Sequence, residues 1–254
     1  MNGQNRSNPI YWLTIAVITL SFLYISNFSH AQESPPHRTK VYLIPGQGFD
    51  FRVFNNLKLT SNFDTVNIHY VVPEKNYELK EYAQLLAQQI DTTENFSLIG
   101  VSFGGMVCSE MCEFLNPEKV ILISSAKERK EIPVGYKMFK YFPINLLIPG
   151  YLYKASGQIL RPIFEPDEKL ANGLFKNMLH DSNNQFMKQS TKMIINWDKK
   201  TYSDKIIHIH GTKDNTLPYR NIKANYTIDK GSHMMVFTRS EDINTIVNRI
   251  LNSN

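Results

Sequence analysis

A serine stands between glycines at the spacing Gly100-Val101-Ser102-Phe103-Gly104, with Gly105 following. A serine hydroxyl is a weak nucleophile at neutral pH. It becomes effective when a neutral imidazole takes its proton during attack and a carboxylate fixes and stabilises that imidazole. The G-x-S-x-G spacing suits a serine held at the apex of a sharp strand-to-helix turn. Side chains two positions before and after the apex would collide across the turn, and the serine itself takes strained backbone angles. The chemistry indicated is nucleophilic attack by the Ser102 hydroxyl. Cys108 is a poorer nucleophile candidate, because burial in mid-helix raises a thiol's pKa. Cys108 and Cys112 match no metal-binding spacing. Four apart on a helix, their Cβ atoms would lie roughly 5–6 Å apart against about 3.8 Å in a disulfide, so two free thiols are expected. His208 and His210 lie two apart and point the same way on a strand, but without a further ligand of suitable spacing they read as structural, not as a metal site.

An elbow of this kind needs a strand before it and a helix after it. Phe96–Val101 supplies the first, and the apolar periodicity of Phe103–Leu115 supplies the second. Further strands are expected at Val41–Ile44, Val66–Val72, Val120–Ser124, Ile206–His210 and Tyr226–Ile228, several of them continuous in apolar residues, as strands covered on both faces are. Helical patterns run over Leu79–Ile90 and over Ile243–Leu251, the latter after Ser240 and Glu241 as a helix start. Strands alternating with helices imply an α/β fold with a doubly wound, mostly parallel sheet. The connection from Ala126 to Asp204 is far longer than the dozen or so residues of a bare crossover. It reads as an inserted helical cap. Its first half, Tyr136 to Tyr153, is aromatic and aliphatic with Pro143, Pro149 and Gly150, and its second half, about Glu168 to Trp197, reads as two or more helices.

With these motifs in place, the chain from Val41 onward resembles the α/β-hydrolase-fold serine hydrolases, of the esterase and lipase kind with a helical cap. Three further sites then take roles by that resemblance. His210-Gly211-Thr212-Lys213-Asp214, followed by Pro218, resembles the family's H-G-x-x-D loop after the penultimate strand, which implies Asp214 as the triad acid. Gly231-Ser232-His233 resembles the G-x-H loop after the last strand and implies His233 as the base. Ile44-Pro45-Gly46-Gln47-Gly48 occupies the place of the family's His-Gly-x, with proline where the histidine usually stands. The backbone N–H groups of Gln47 and Phe103 would then form the oxyanion hole, a role that carries no side-chain requirement. Whether the loop offers Gln47 or Gly48, and whether the Gln47 side chain faces substrate, is open at this point. Serine at the elbow argues against the relatives that attack with a carboxylate.

The resemblance implies cleavage of a small-molecule carboxylic ester, or a thioester, through an acyl-enzyme. No metal or organic cofactor is called for by that chemistry. An acyltransferase using the same triad and a non-catalytic exported binding module are the alternatives. Composition agrees with a globular domain: 42% hydrophobic and 20% charged. The net charge of +5 comes from 28 basic and 23 acidic residues that are interspersed, not gathered into a stripe, which argues against nucleic acid as a partner. Between Arg6 and Glu33 there is no Asp, Glu, Lys or Arg, and the run from Ile10 to Phe28 is apolar or hydroxylated. Residues 1–31 therefore read as a secretory signal with Ser29-His30-Ala31 at its cleavage site, or as an uncleaved membrane anchor through residues 10–28. Either reading exports the domain, to the periplasm or beyond, and confines membrane contact to this segment. Residues 32–39, with Pro35-Pro36, are a linker, and the domain occupies 40–254 with the cap at about 126–204.

Overall fold

The structure is a computed structural model, and it describes residues 38–135 and 173–253, together with isolated positions 10, 13, 14, 17, 151, 152, 155 and 171. Contacts divide the chain into two units, Met1–His37 and Arg38–Asn254. The secretory-signal or anchor reading, its cleavage site and the linker fall almost entirely outside the described residues. Of the first unit, Ile10, Leu13, Thr14 and Val17 are helical, and Thr14 Oγ1 donates to the Ile10 carbonyl at 2.7 Å. Among the described residues no helix is long and apolar enough to cross a membrane.

In the second unit, six strands form one sheet: β1 Thr39–Ile44, β2 Phe63–Asn67, β3 Phe96–Val101, β4 Val120–Ile123, β5 Ile206–Gly211 and β6 Tyr226–Ile228. Their spatial order is β2-β1-β3-β4-β5-β6, and every pairing is parallel. Successive side chains of a strand point to opposite faces, and both faces here are covered. On one, Tyr42, Ile44, Leu98 and Leu122 pack against α1 (Leu79–Ala87) and α2 (Phe103–Met111). On the other, Val41, Leu43, Ile99, Val101 and Ile121 pack against α6 (Ser240–Leu251) and the short α5 (Met235–Thr238). The doubly wound parallel sheet expected from the alternation is present.

The second strand is a correction. The apolar run suggested Val66–Val72, whereas the strand is Phe63–Asn67. Its ladder with β1 ends where Ile68 N–H donates to the Leu43 carbonyl at 3.0 Å, because β1 then turns into Pro45, which has no N–H to offer. His69 is held instead by both ends of the Gln89 amide, and Val71 and Val72 are 48% and 44% exposed. Helix α1 also stops before the expected Ile90, its last turn closing by shorter bonds such as Ile90 N–H to the Ala87 carbonyl.

Of the inserted segment, the first half lies largely outside the described residues, where Tyr151 and Leu152 are helical and exposed. The second half holds two helices, α3 Leu174–Asp181 and α4 Asn184–Asn196. Asn183 starts α4 by accepting from the N–H groups of Gln185 and Phe186. At the base of the insertion Lys127 and Glu131 form a buried pair at 3.4 Å. Glu131 also accepts from the backbone N–H groups of Lys127 and Lys223, and Lys127 Nζ donates to the Lys223 carbonyl. This ties the outgoing stalk of the insertion to the segment that follows the β5 loop.

Candidate active site

Ser102 sits at the junction of β3 and α2 with φ 52° and ψ −120°, outside the regions a serine ordinarily occupies. The turn is so tight that a Cβ on Gly100 would lie 2.5 Å from the Gly104 carbonyl oxygen. A Cβ on Gly104 would lie 2.1 Å from that of Ile44. Both contacts are with backbone, which cannot move aside, so the glycines of the motif are sterically required. Ser125 Oγ donates to the Ser102 carbonyl at 2.6 Å and Ser102 N–H donates to the Ile123 carbonyl at 3.0 Å, so the end of β4 holds the elbow from beside it.

Asp214 and His233 come from neighbouring loops that grip each other. Gly211 approaches Gly231 so closely that a Cβ on the former would lie 2.1 Å from the latter's carbonyl oxygen. Lys213 N–H donates to Gly231 O at 3.0 Å, and Lys230 N–H to Thr212 Oγ1 at 2.8 Å. With the loops locked, Asp214 Oδ2 lies 2.8 Å from His233 Nδ1, and His233 Nε2 lies 2.8 Å from Ser102 Oγ. The other carboxylate oxygen of Asp214 accepts from the N–H groups of Thr216 and Leu217 at 2.9 and 2.8 Å. Burial works to raise the Asp214 carboxyl, but the adjacent His233, the hydrogen bonds and His210 outweigh it and hold the group below its ordinary value. An ionised carboxylate only accepts, so the His233 proton belongs on Nδ1 and the lone pair of Nε2 faces the Ser102 hydroxyl.

The loop after β1 lies against this serine: a Cβ on Gly46 would be 3.1 Å from Ser102 Cβ. The backbone N–H groups of Gln47 and Phe103 donate to no acceptor among the described residues. That of Phe103 opens α2, where helix geometry leaves N–H groups unpaired and the dipole favours negative charge. Gly48 faces the other way, toward Leu179 and Met187. The Gln47 side chain does not point at the serine's partners; its amide turns to α4. Asp214, His233 and Ser102 thus meet at the carboxyl end of the sheet, with Phe103 next to the serine and Gln47 next to Gly46, which lies against it.

No family model matches this chain, and no curated protein matches it. Solved structures do. An enol-lactonase from Burkholderia xenovorans superposes with a TM-score of 0.66 at 13% identity, over 87% of this chain and 94% of that one. An esterase from Exiguobacterium antarcticum gives 0.62 at 19%, over 87% and 94%. A thermophilic esterase from Thermogutta terrifontis gives 0.63 at 16%, over 84% and 89%. The chain has the α/β-hydrolase fold. At these identities the likeness is one of architecture, and function has to be argued from the site.

On the same sheet, His208 and His210 are fully buried on β5 with rings 5.2 Å apart. His208 Nε2 accepts weakly from Ser125 N–H at 3.4 Å, and His210 Nε2 meets the Leu217 carbonyl at 2.8 Å and Asp214 Oδ2 at 3.5 Å. Burial pushes His208 well below the ordinary imidazole range and lowers His210 as well. Both are therefore neutral. Among the described residues no group of three or more His, Cys, Asp or Glu side chains could hold a metal ion. Cys108 is buried and Cys112 partly so, both as free thiols; burial raises both, Cys112 to about 11. A cavity of about 450 Å³ is lined by Tyr77, Glu110, Lys192 and Trp197 among others, and by none of the five site residues.

Two contributors carried no signal in the sequence, Tyr70 and Ser125, while the Gln47 side chain, open in the sequence, is bound to α4. Tyr70 Oη donates to the Pro45 carbonyl at 2.5 Å, and its ring stacks on Phe186 at 4.7 Å. The loop after β1 is thus held at Pro45 by a side chain from elsewhere in the chain.

Proposed function

We propose that this protein is a serine hydrolase that cleaves carboxylic esters, thioesters included, through an acyl-enzyme on Ser102. One observation carries the reading: the unbroken line from Asp214 through His233 to Ser102, both gaps 2.8 Å. In the first half-reaction Ser102 Oγ attacks the acyl carbon while its proton passes to His233 Nε2. The tetrahedral oxyanion is met by the N–H groups of Gln47 and Phe103. Its collapse expels the alcohol or thiol, which takes the proton from His233. Water, deprotonated by the same nitrogen, then releases the acid and restores the serine. Asp214 keeps Nδ1 protonated throughout and stabilises the imidazolium. The enol-lactonase and the two esterases among the structural neighbours support ester cleavage as the reaction.

The substrate that fits this reading is a small-molecule ester with a short or medium apolar acyl chain, supported by the aromatic and aliphatic composition of Tyr136 to Tyr153. We also read residues 1–31 as an export signal or anchor, supported by the charge-free run after Arg6. Terminal sequencing of the protein recovered from expressing cells distinguishes cleaved from retained.

Intact-mass measurement after fluorophosphonate treatment tests the chemistry. One adduct is expected on the wild type and none on Ser102→Ala or His233→Ala, with turnover of p-nitrophenyl esters falling by about 10⁴-fold or more in both variants. Folded wild type that takes no adduct, or an adduct that survives Ser102→Ala, would sink the proposal. A preference for charged acyl groups in a chain-length series would sink the substrate class alone.

A further inference from the structure

The amide of Gln47 makes an arrangement that the hydrolase reading does not require. Its Nε2 lies 3.0 Å from the Met187 carbonyl, 2.8 Å from Ser190 Oγ and 2.7 Å from Thr191 Oγ1, all on α4 and some 140 residues further along the chain. The two hydroxyl protons there are already committed to the helix: Ser190 donates to the Phe186 carbonyl at 2.6 Å and Thr191 to the Met187 carbonyl at 2.8 Å. What faces Gln47 is therefore three acceptors, and only the NH₂ end of the amide can meet them. The amide's orientation follows from the Met187 carbonyl, which can never donate. The same helix also stacks Phe186 on Tyr70, whose hydroxyl holds the carbonyl of Pro45 two residues before Gln47. Helix α4 thus holds the loop that carries the Gln47 N–H at two points, directly through the Gln47 amide and by way of Tyr70 at Pro45.

We propose that Gln47 is a positioning residue: through its side chain, helix α4 of the inserted segment aims the Gln47 N–H at the oxyanion, so that the site is complete only with α4 docked. This rests on the hydrolase reading. The donor itself is backbone and survives any side-chain change, so what a substitution alters is its placement. Losing an oxyanion donor outright costs ~10²–10³ in rate, and a misplacement of about 1 Å can cost ~10². An intermediate loss is expected here.

The experiment compares wild type, Gln47→Met, which keeps length without a donor, Gln47→Glu, which sets a carboxylate against three acceptors, Thr191→Val and the Gln47→Met/Thr191→Val pair. Steady-state kinetics on a p-nitrophenyl ester, the inhibition constant of an alkylboronic acid and the melting temperature are measured for each. Gln47→Met and Gln47→Glu are expected to lower kcat about 10–100-fold with KM within about twofold. Boronic acid binding should weaken by the same factor as kcat/KM, since both need the oxyanion donors. Thr191→Val should lose less, and the pair should lose no more than Gln47→Met alone. Unchanged kcat in a folded Gln47 variant would overturn the inference. So would a loss confined to KM, boronic acid binding that stays at the wild-type value, or losses that multiply in the pair. If one Gln47 variant does not fold, the other and Thr191→Val decide it by the same criteria. A wild type that takes no fluorophosphonate adduct overturns the hydrolase reading and this inference with it, whereas a labelled, active wild type with indifferent Gln47 variants overturns this inference alone.

Discussion

Ser102 is held in a strained backbone conformation. Its φ of 52° with ψ −120° lies where an L side chain is strained, at a cost of order 1–3 kcal/mol, and the surrounding contacts leave it no alternative. The neighbouring backbone is wedged by the close approach of Gly104 to Ile44, and the Ser102 carbonyl is fixed by Ser125. The strain projects the hydroxyl toward His233 in place of burying it along the helix, so it is the local cost of having a nucleophile there. Glycine adopts such angles without a Cβ penalty, although it loses more conformational freedom on folding. Ser102→Gly should therefore be more stable than Ser102→Ala by about 1 kcal/mol, while both lack ester turnover. Urea unfolding of the two variants checks this, and equal midpoints would mean that the elbow is relaxed as built.

At the scale of elements, what could be read in advance depended on how local the cause was. The elbow was legible because a strand, a glycine-flanked serine and a helix follow one another within twenty residues, each imposing its own periodicity. The acid and histidine loops were legible only through resemblance, and the grip of Gly211 on Gly231 that brings Asp214 to His233 joins loops whose register no local pattern reveals. Strand β2 was placed too late because the apolar run continues to Val72, whereas its end is dictated by Pro45 on the neighbouring strand. The contact of α6 with the segment before β2 was illegible for the same reason. Asn244, Asn248 and Asn252 stand one turn apart, and two of them treat extended backbone as a neighbouring strand would. Asn244 accepts from Lys58 N–H and donates to the Asn56 carbonyl, and Asn248 accepts from Thr60 N–H and donates to the Lys58 carbonyl. Mid-helix asparagine is a weak helix former, so in the sequence it reads only as a solvated face. Asn248→Ala should gain helix propensity yet lose about 1–2 kcal/mol net, since the Thr60 N–H and the Lys58 carbonyl lose their partner. A thermal melt of Asn248→Ala beside an exposed control such as Thr245→Ala would show it, and a gain in stability for Asn248→Ala would mean that the ladder contributes nothing.

For the whole molecule, the sheet that brings the triad together at its carboxyl end also carries a buried polar seam on β5, beside the edge strand, and that seam bears on how the fold responds to acid. His208 and His210 are buried and neutral: burial, His210 and Lys127 push His208 below the ordinary imidazole value, and burial, His233 and Lys127 lower His210 against the opposing pull of Asp214 and the Leu217 carbonyl. In the unfolded chain each takes up a proton near pH 6.5. Between that value and their lower folded values the unfolded state holds more protons, so stability rises with pH, and it is lost as pH falls through this window. Each histidine can account for at most about 2 kcal/mol between pH 7.5 and pH 5. Glu131 acts with the opposite sign, because burial raises its carboxyl and the folded state then binds the extra proton from pH 4.5 upward. Asp214, held low, loses its contribution only as pH falls below 3.8, outside this range. A difference between proteins isolates the histidine. In His208→Gln the amide oxygen can still accept from Ser125 N–H but no proton is taken up on unfolding. Its urea midpoint should change less than that of the wild type between pH 7.5 and 5. Identical dependence in the two proteins would mean that His208 is already charged, or already solvated, in the fold. The same seam lies behind Asp214, so acidification that charges His210 would place a cation beside the carboxylate and weaken its hold on His233. Ester turnover should then fall at low pH while the protein remains folded, ahead of the loss of structure followed by circular dichroism.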